Sequence, residues 1–125
     1  MLRAAAAVVL ALAAGAAQAC MFVRDVPPES WYEWSSALFA GEVTRVEEDA
    51  AKAIDTIAVK VTEVFKGPPA ESATLTMTVR LRRLCRLELP RIGERILVAL
   101  NEHNDSAWVP LGEAFAERLR REKRR

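Results

Sequence analysis

The middle of the chain carries hydrophobic residues at every second position, which is the period of a half-buried β-strand. Three such runs occur, with polar or small residues between the apolar ones. Their apolar positions are Phe39, Gly41 and Val43; Ile57, Val59 and Val61; and Leu75, Met77, Val79 and Leu81. The pattern predicts three strands, and the first is expected to end in a solvated acidic loop at residues 47–49.

Two further segments complete a predicted β-rich domain. Residues 95–100 are nearly all apolar, and residues 107–111 follow after a polar loop. In the second strand the alternation changes phase at Val64 and Phe65, which predicts a β-bulge before the turn at residues 66–69. Five strands in about 75 residues, without helical crossovers, favour a mainly β fold. We expect a closed or partly closed five-stranded antiparallel barrel.

Helices are predicted on both sides of the strands. Residues 28–34 have proline and glutamate at the start of a short helix, and Trp31 and Trp34 would share one of its faces. We expect both rings to pack against the domain rather than to form a platform for a ligand. Residues 112–125 are predicted to form a helix whose position, docked or projecting, stays open. Its apolar stripe is Leu111, Phe115 and Leu119.

The amino-terminal segment has the pattern of an export signal. A positively charged start, an apolar run at residues 4–14 and the small-x-small triplet at 17–19 predict a secretory signal peptide, residues 1–19. A retained membrane anchor is less favoured, because about 14 apolar residues fall short of the roughly 20 that span a bilayer. A lipoprotein acylated at Cys20 is a minor alternative, since Gln18 stands where a small or branched residue is usual.

Composition changes once this signal is set apart. The whole chain is 51% hydrophobic with a net charge of +1, whereas residues 20–125 carry 17 basic and 17 acidic residues. A neutral chain of about a hundred residues has the size of one soluble domain. This argues against a multidomain enzyme and against nucleic-acid binding by charge alone. We expect one domain at residues 20–111, followed by a basic helix at 112–125.

Export also decides how the two cysteines are interpreted. In an oxidising compartment an even number of cysteines normally pairs, and two cysteines allow one bridge, from Cys20 to Cys85. Closing a loop of that length stabilises a fold by roughly 4 kcal/mol in the chain-entropy model. After signal cleavage Cys20 is the first residue, so its free α-amino group would be held in place by the bridge.

The sequence offers little for catalysis or for a metal of its own. His103 is the single histidine and lies in a polar loop without a nucleophile motif, so a surface position is expected. Two cysteines far apart in sequence do not match a zinc site, and no glycine-rich phosphate loop is present. We therefore expect no enzyme activity, no cofactor and no bound metal.

Basic residues form two clusters. The first runs from Arg80 to Arg95 and also includes Arg91, and its members Arg80, Arg82, Arg83 and Arg86 are a candidate binding face. The second is the tail, residues 118–125, with six positive charges and one acidic residue. The tail is expected to be a solvated helix end, and its alternative role is weak contact with anionic surfaces.

Several of these motifs together resemble one known family. They are a cysteine directly after the cleavage site, ALFAGEV at residues 37–43 behind a short helix, VTEVFKG at 61–67, and Cys85 followed by IGERILVA at 92–99. The set resembles the amino-terminal domain of the tissue inhibitors of metalloproteinases, the netrin-like version of the OB-fold. The resemblance covers nearly all of residues 20–111 and is to a bacterial-type, single-disulfide form, because Phe22 stands where the animal inhibitors carry a second cysteine.

The resemblance implies a mechanism based on the new amino terminus. Cys20 would chelate the catalytic zinc of a target protease through its α-amino nitrogen and carbonyl oxygen and displace the nucleophilic water. Met21 would enter the specificity pocket beside that zinc, and Cys85 would hold the terminus in place. A zinc that keeps one position open for water can accept such ligands.

Two hypotheses follow for a secreted, periplasmic or extracellular domain without a transmembrane span. The first is a protein-binding domain that inhibits a zinc metalloprotease through Cys20. The second is a non-inhibitory interaction or adhesion module that binds another protein or a polyanion through the basic face or the tail. No nucleic-acid partner is expected.

Overall fold

The computed structural model describes residues 26–103 and 106–125, which form a mainly β fold with three short helices. The helices are α1 (Pro28–Trp34), α2 (Val79–Leu84) and α3 (Glu113–Lys123). The strands are β1 (Ala37–Asp49), β2 (Ile54–Lys66), β3 (Ser72–Thr78), β4 (Arg95–Leu100) and β5 (Ser106–Pro110). The predicted mainly β class, with five antiparallel strands and a helix on each side, is confirmed.

All five strands belong to one antiparallel sheet in the order β3-β2-β1-β4-β5. The long β1 lies at the centre because it pairs with β2 along its whole length and with β4 along its first half. In the described residues β3 and β5 form the two edges and are not paired with each other, so the sheet is open along that line.

The β1–β2 ladder is irregular, as the phase change in the sequence predicted. Leu38 pairs with Lys66 and Phe39 pairs with Val64, so Phe65 is an extra residue on β2. The register shifts at two more points, between Ala40 and Gly41 and between Val43 and Arg45. Bulges of this kind increase local twist and bend a strand.

The two faces of the sheet bury separate apolar clusters. The first cluster lies under α1 and α3 and has Trp31, Leu38, Phe65, Leu97 and Leu119 among its buried members. The second lies on the opposite face and draws on all five strands. Its buried residues are Phe39, Val43, Ile57, Val59, Leu75, Met77, Ile96, Val98 and Trp108. Because both faces are covered, the central strands are apolar on both sides, which explains the continuous run in β4.

Helix α3 docks on the sheet. Ala116 and Leu119 are completely buried, and the predicted stripe at spacing four faces the first cluster. Trp31 is also buried there and Trp34 packs against the same cluster, so the expected packing of both rings is confirmed. Nothing in the described part of the chain forms a helix long and apolar enough to cross a bilayer.

Two local predictions were wrong. The alternation from Leu75 to Leu81 predicted one strand, but β3 ends at Thr78 and the chain turns into α2. The acidic residues 47–49 were predicted to form a loop, but they pair with the start of β2 up to Asp49 opposite Ile54. They are exposed, as expected of charged residues, and the hairpin extends the strand through them because its ladder needs backbone groups only.

Candidate functional site

The segment that joins β3 to β4 contains most of the predicted site residues within the described range. It consists of α2, Cys85 and the connection up to Glu94. Cys20 and Met21 lie outside the described residues, so the expected zinc-chelating terminus, its pocket contact and the bridge to Cys85 stay predictions.

Helix α2 begins because Thr78 caps it. The hydroxyl of Thr78 accepts a hydrogen bond from the backbone N–H of Leu81 at 3.2 Å, and this satisfies one of the free donors of the first turn. The N–H of Val79 donates to the carbonyl of Ala53 in the β1–β2 turn at 2.9 Å. None of the six residues of α2 is fully buried. Polar contacts therefore contribute much of what holds this helix on the sheet.

The strongest of these polar contacts is an ion pair in the interior. The Nε of Arg82 donates to Oδ2 of Asp55 on β2 at 2.6 Å, and Asp55 is completely buried while the Arg82 side chain is 22% exposed. The second carboxylate oxygen of Asp55 accepts no hydrogen bond from the described residues. Removing the partner of a buried carboxylate destabilises a fold far more than removing the partner of an exposed one. Arg82 is therefore held in this pair and is not available to an external ligand.

The predicted basic face is thus divided by the structure. Arg82 points inward to Asp55, whereas Arg80, Arg83 and Arg86 are exposed. Sequence reasoning did not single out Asp55. The signal was available, because Asp55 stands two positions before Ile57 in the alternating β2 pattern, where an apolar residue is expected.

Cys85 ends α2 and is buried, with 4% of its surface exposed. Its N–H donates to the carbonyl of Leu81 at 3.0 Å. On its two sides the chain is exposed: Leu84 is a large apolar residue with 61% exposure, and Arg86 adopts a left-handed conformation with φ of 53°. An exposed apolar side chain therefore flanks the cysteine predicted to hold the amino terminus.

Beyond Cys85 the connection covers the second cluster and borders a cleft. Leu87 and Leu89 pack against the cluster, and the backbone rejoins the sheet where Gly93 and Glu94 hydrogen-bond Val43 at 2.7 and 2.9 Å. The cleft of about 540 Å³ lies between this connection and Trp108 of β5. Its wall includes Ile92, a second exposed apolar residue with 70% exposure.

The carboxyl-terminal arginines are engaged in ion pairs. Arg120 binds Glu63 of β2 through two hydrogen bonds of 2.7 and 2.8 Å and also contacts Glu113 and Glu117. Arg95 of β4 contacts the same Glu63 and Glu113. The hydrogen bond from Arg120 holds the pKa of Glu63 below its ordinary value, although partial burial acts in the opposite direction.

Other contacts tie the rest of the tail to the body of the domain. Arg118 pairs with Glu29 of α1 at 3.2 Å, Arg124 pairs with Glu117, and Lys123 donates to the carbonyl of Val64 at 2.8 Å. The pKa of Glu29 is lowered by its backbone hydrogen bond and by Arg118. The tail is thus a docked helix whose charge is largely neutralised, rather than a free basic surface.

The described residues contain no group of three or more histidine, cysteine or acidic side chains placed to hold a metal ion. His103 is exposed, as expected, with Glu102 as its neighbour at 3.8 Å. No protein-family model matches the chain, and no curated protein matches it.

Proposed function

We propose that this chain is an exported, netrin-like domain that binds protein and inhibits a zinc metalloprotease through Cys20 as its first residue. The α-amino nitrogen and the carbonyl oxygen of Cys20 bind the zinc of the protease in place of its water. Binding through the amine requires the neutral form, so one proton is released when the complex forms. Met21 enters the neighbouring pocket, where a flexible apolar side chain packs well.

The arrangement of the strands supports the OB-fold-like barrel that this proposal includes. In a flat sheet β3 and β5 would be about 19 Å apart, since four strand spacings separate them. Leu75 and Met77 of β3 and Trp108 of β5 nevertheless belong to one buried cluster. The bulges in the β1–β2 ladder supply the necessary bend. A sheet curled around the second cluster explains both observations.

The observation that carries the functional proposal is the position of Cys85. It is buried at the end of α2, directly beside the exposed Leu84. A disulfide joins residues whose Cα atoms are about 5.5 Å apart. A bridge to Cys20 therefore puts the new amino terminus at an exposed edge with an apolar neighbour, which is the surface a protease cleft can cover.

Binding of a polyanion through the tail has weaker support. Arg118, Arg120, Lys123 and Arg124 already contact carboxylates or carbonyl groups of the domain. Withdrawing them for an external partner would undock α3, whose Leu119 is completely buried. Inhibition at the Cys85 edge requires no such rearrangement.

The test begins with mass spectrometry of the exported protein, which reports the first residue, the disulfide and any acylation. The protein is then titrated against a panel of zinc endopeptidases. One alanine inserted before Cys20 moves the amine away from the zinc and is expected to abolish inhibition while the urea midpoint is retained. The matched control carries one alanine after Arg125 and inhibits like the parent protein.

Three results would overturn the proposal. They are an amino terminus other than Cys20, a blocked α-amine in the exported protein, and inhibition that survives the inserted alanine. Absence of inhibition across the panel would also count against a metalloprotease as the partner.

A further inference from the structure

The outer face of α2 is an exposed surface that combines positive charge with an apolar residue. Arg80, Arg83 and Leu84 are three and four positions apart, so they lie on the same side of the helix. All three are exposed, whereas Val79, Leu81 and Arg82 are partly buried. Arg86 follows directly and is also exposed. We refer to Arg80, Arg83, Leu84 and Arg86 as the α2 face.

The arginines of this face have no carboxylate to neutralise them. Among the described residues Arg80, Arg83 and Arg86 form no ion pair, because Asp55 is held by Arg82. The tail differs, since four of its five arginines, Arg118, Arg120, Arg124 and Arg125, are paired with carboxylates. The α2 face is therefore a concentrated cationic surface without a carboxylate partner among the described residues, although residues 20–125 are neutral in total.

Leu84 indicates the kind of partner. Its side chain is 61% exposed on the same helix face as two of the arginines. A hydrated polyanion contacts the guanidinium groups but offers nothing apolar to the leucine. The surface of a bilayer offers both, with phosphates for arginine and an acyl boundary that an apolar side chain can enter.

We infer that the α2 face binds the surface of membranes that contain anionic phospholipids. Arg80, Arg83 and Arg86 contact the lipid phosphates, and Leu84 enters the boundary between headgroups and acyl chains. Each arginine near an anionic surface increases partitioning by about fivefold. Binding is therefore weak and salt-sensitive, because the charges are screened at high ionic strength. The inference uses neither Cys20 nor Met21, but it shares Leu84 with the edge proposed to face the protease, so membrane binding is tested in the absence of a protease.

The experiment is co-sedimentation of the exported protein with vesicles of equimolar phosphatidylcholine and phosphatidylglycerol, at low and at high salt. The parent protein is expected to bind these vesicles and not vesicles of phosphatidylcholine alone. The double variant Arg80→Gln/Arg83→Gln should lower partitioning about 25-fold, as two arginines are lost. Leu84→Ala should lower it about threefold or more, because buried methylene groups are removed.

The matched control is the double variant Arg121→Gln/Arg125→Gln. It removes the same net charge from α3 and the chain end, on the opposite side of the sheet, and should change partitioning by less than about threefold. An equal loss in the control would mean that net charge alone drives binding and would overturn the inference.

Two other outcomes would also overturn it. Equal binding to vesicles without anionic lipid would show that the net negative charge of the lipid is not recognised. Binding that Leu84→Ala leaves unchanged, and that heparin displaces, would show that the face binds a soluble polyanion. Urea unfolding of each variant shows that it is folded, which is expected because the substituted side chains are exposed.

Discussion

Replacing Arg82 with glutamine is expected to leave a buried carboxylate without its partner. Asp55 is completely buried. The described residues provide its carboxylate with one hydrogen bond, from Arg82 at 2.6 Å. Breaking a buried pair by removing one member costs about 3 to 5 kcal/mol. We expect about 3 kcal/mol for Arg82→Gln, since the pair lies at the rim of the core, with 22% of the arginine side chain exposed.

Replacing the other member of the pair, Asp55, should lower the free energy of unfolding by a smaller amount. In Asp55→Asn the remaining Arg82 can turn its guanidinium to water, so we expect a loss of about 1.5 kcal/mol. The double variant should be more stable than the sum of the single losses predicts, because each single change removes the same contact. Arg83→Gln is the matched control on the same helix. It removes an exposed arginine and should change stability by less than about 0.5 kcal/mol.

The assay is urea unfolding at neutral pH, followed by tryptophan fluorescence with the disulfide state held constant. With a slope of about 1.5 kcal/mol per molar urea, Arg82→Gln should lower the midpoint by about 2 M. A loss below about 1 kcal/mol, or a greater loss for Asp55→Asn than for Arg82→Gln, would refute the argument. Additive single losses would show that the two groups do not interact in solution.

Three other changes test the packing of the fold. The hydrogen bond from Arg120 lowers the pKa of Glu63. The ionised carboxylate therefore stabilises the folded state at pH values above its ordinary pKa of 4.5, and this stabilisation is lost as the pH falls through the lowered pKa. Arg120→Gln should consequently destabilise the protein more at pH 7 than near pH 3. Gly67→Ala should cost more than Gly93→Ala, because both have positive φ but a Cβ at Gly67 would lie 2.8 Å from a backbone carbonyl oxygen, whereas space is open at Gly93. Leu119→Ala should cost about 3 kcal/mol, since a fully buried leucine is lost.

Urea unfolding measures all three changes, and each has a result that would contradict it. For Arg120→Gln, that result is a loss of stability independent of pH. For the glycines, equal losses would show that the chain around Gly67 relaxes without cost. For Leu119→Ala, a change below about 1 kcal/mol would mean that α3 does not dock in solution.

Much of the strand pattern could be predicted from sequence because it depends on local alternation. The bounds of β4 and of α1, and the bulge at Phe65, follow from which residues are apolar and where their phase changes. The same reasoning predicted the wrong end for β3. Residues 79–81 continue the alternation, and the local pattern contains nothing to stop it.

The start of α2 at Val79 depends on contacts between distant parts of the chain. Val79 donates to Ala53, and Arg82 reaches Asp55, 27 positions earlier. Similarly, the tail is a strongly basic segment when considered alone, but in the folded domain four of its arginines pair with carboxylates, among them Glu29 of α1 and Glu63 of β2. The number of charged residues in a sequence segment therefore does not predict how many of those charges stay unpaired on the surface.

The sequence by itself determined the mainly β class, the number of strands and the two flanking helices. These depend on period, residue type and count, which are local properties. Only the tertiary structure decided which arginines are free. Burial of Asp55 requires one positive partner, Arg82 supplies it, and Arg80, Arg83 and Arg86 are left exposed beside Leu84.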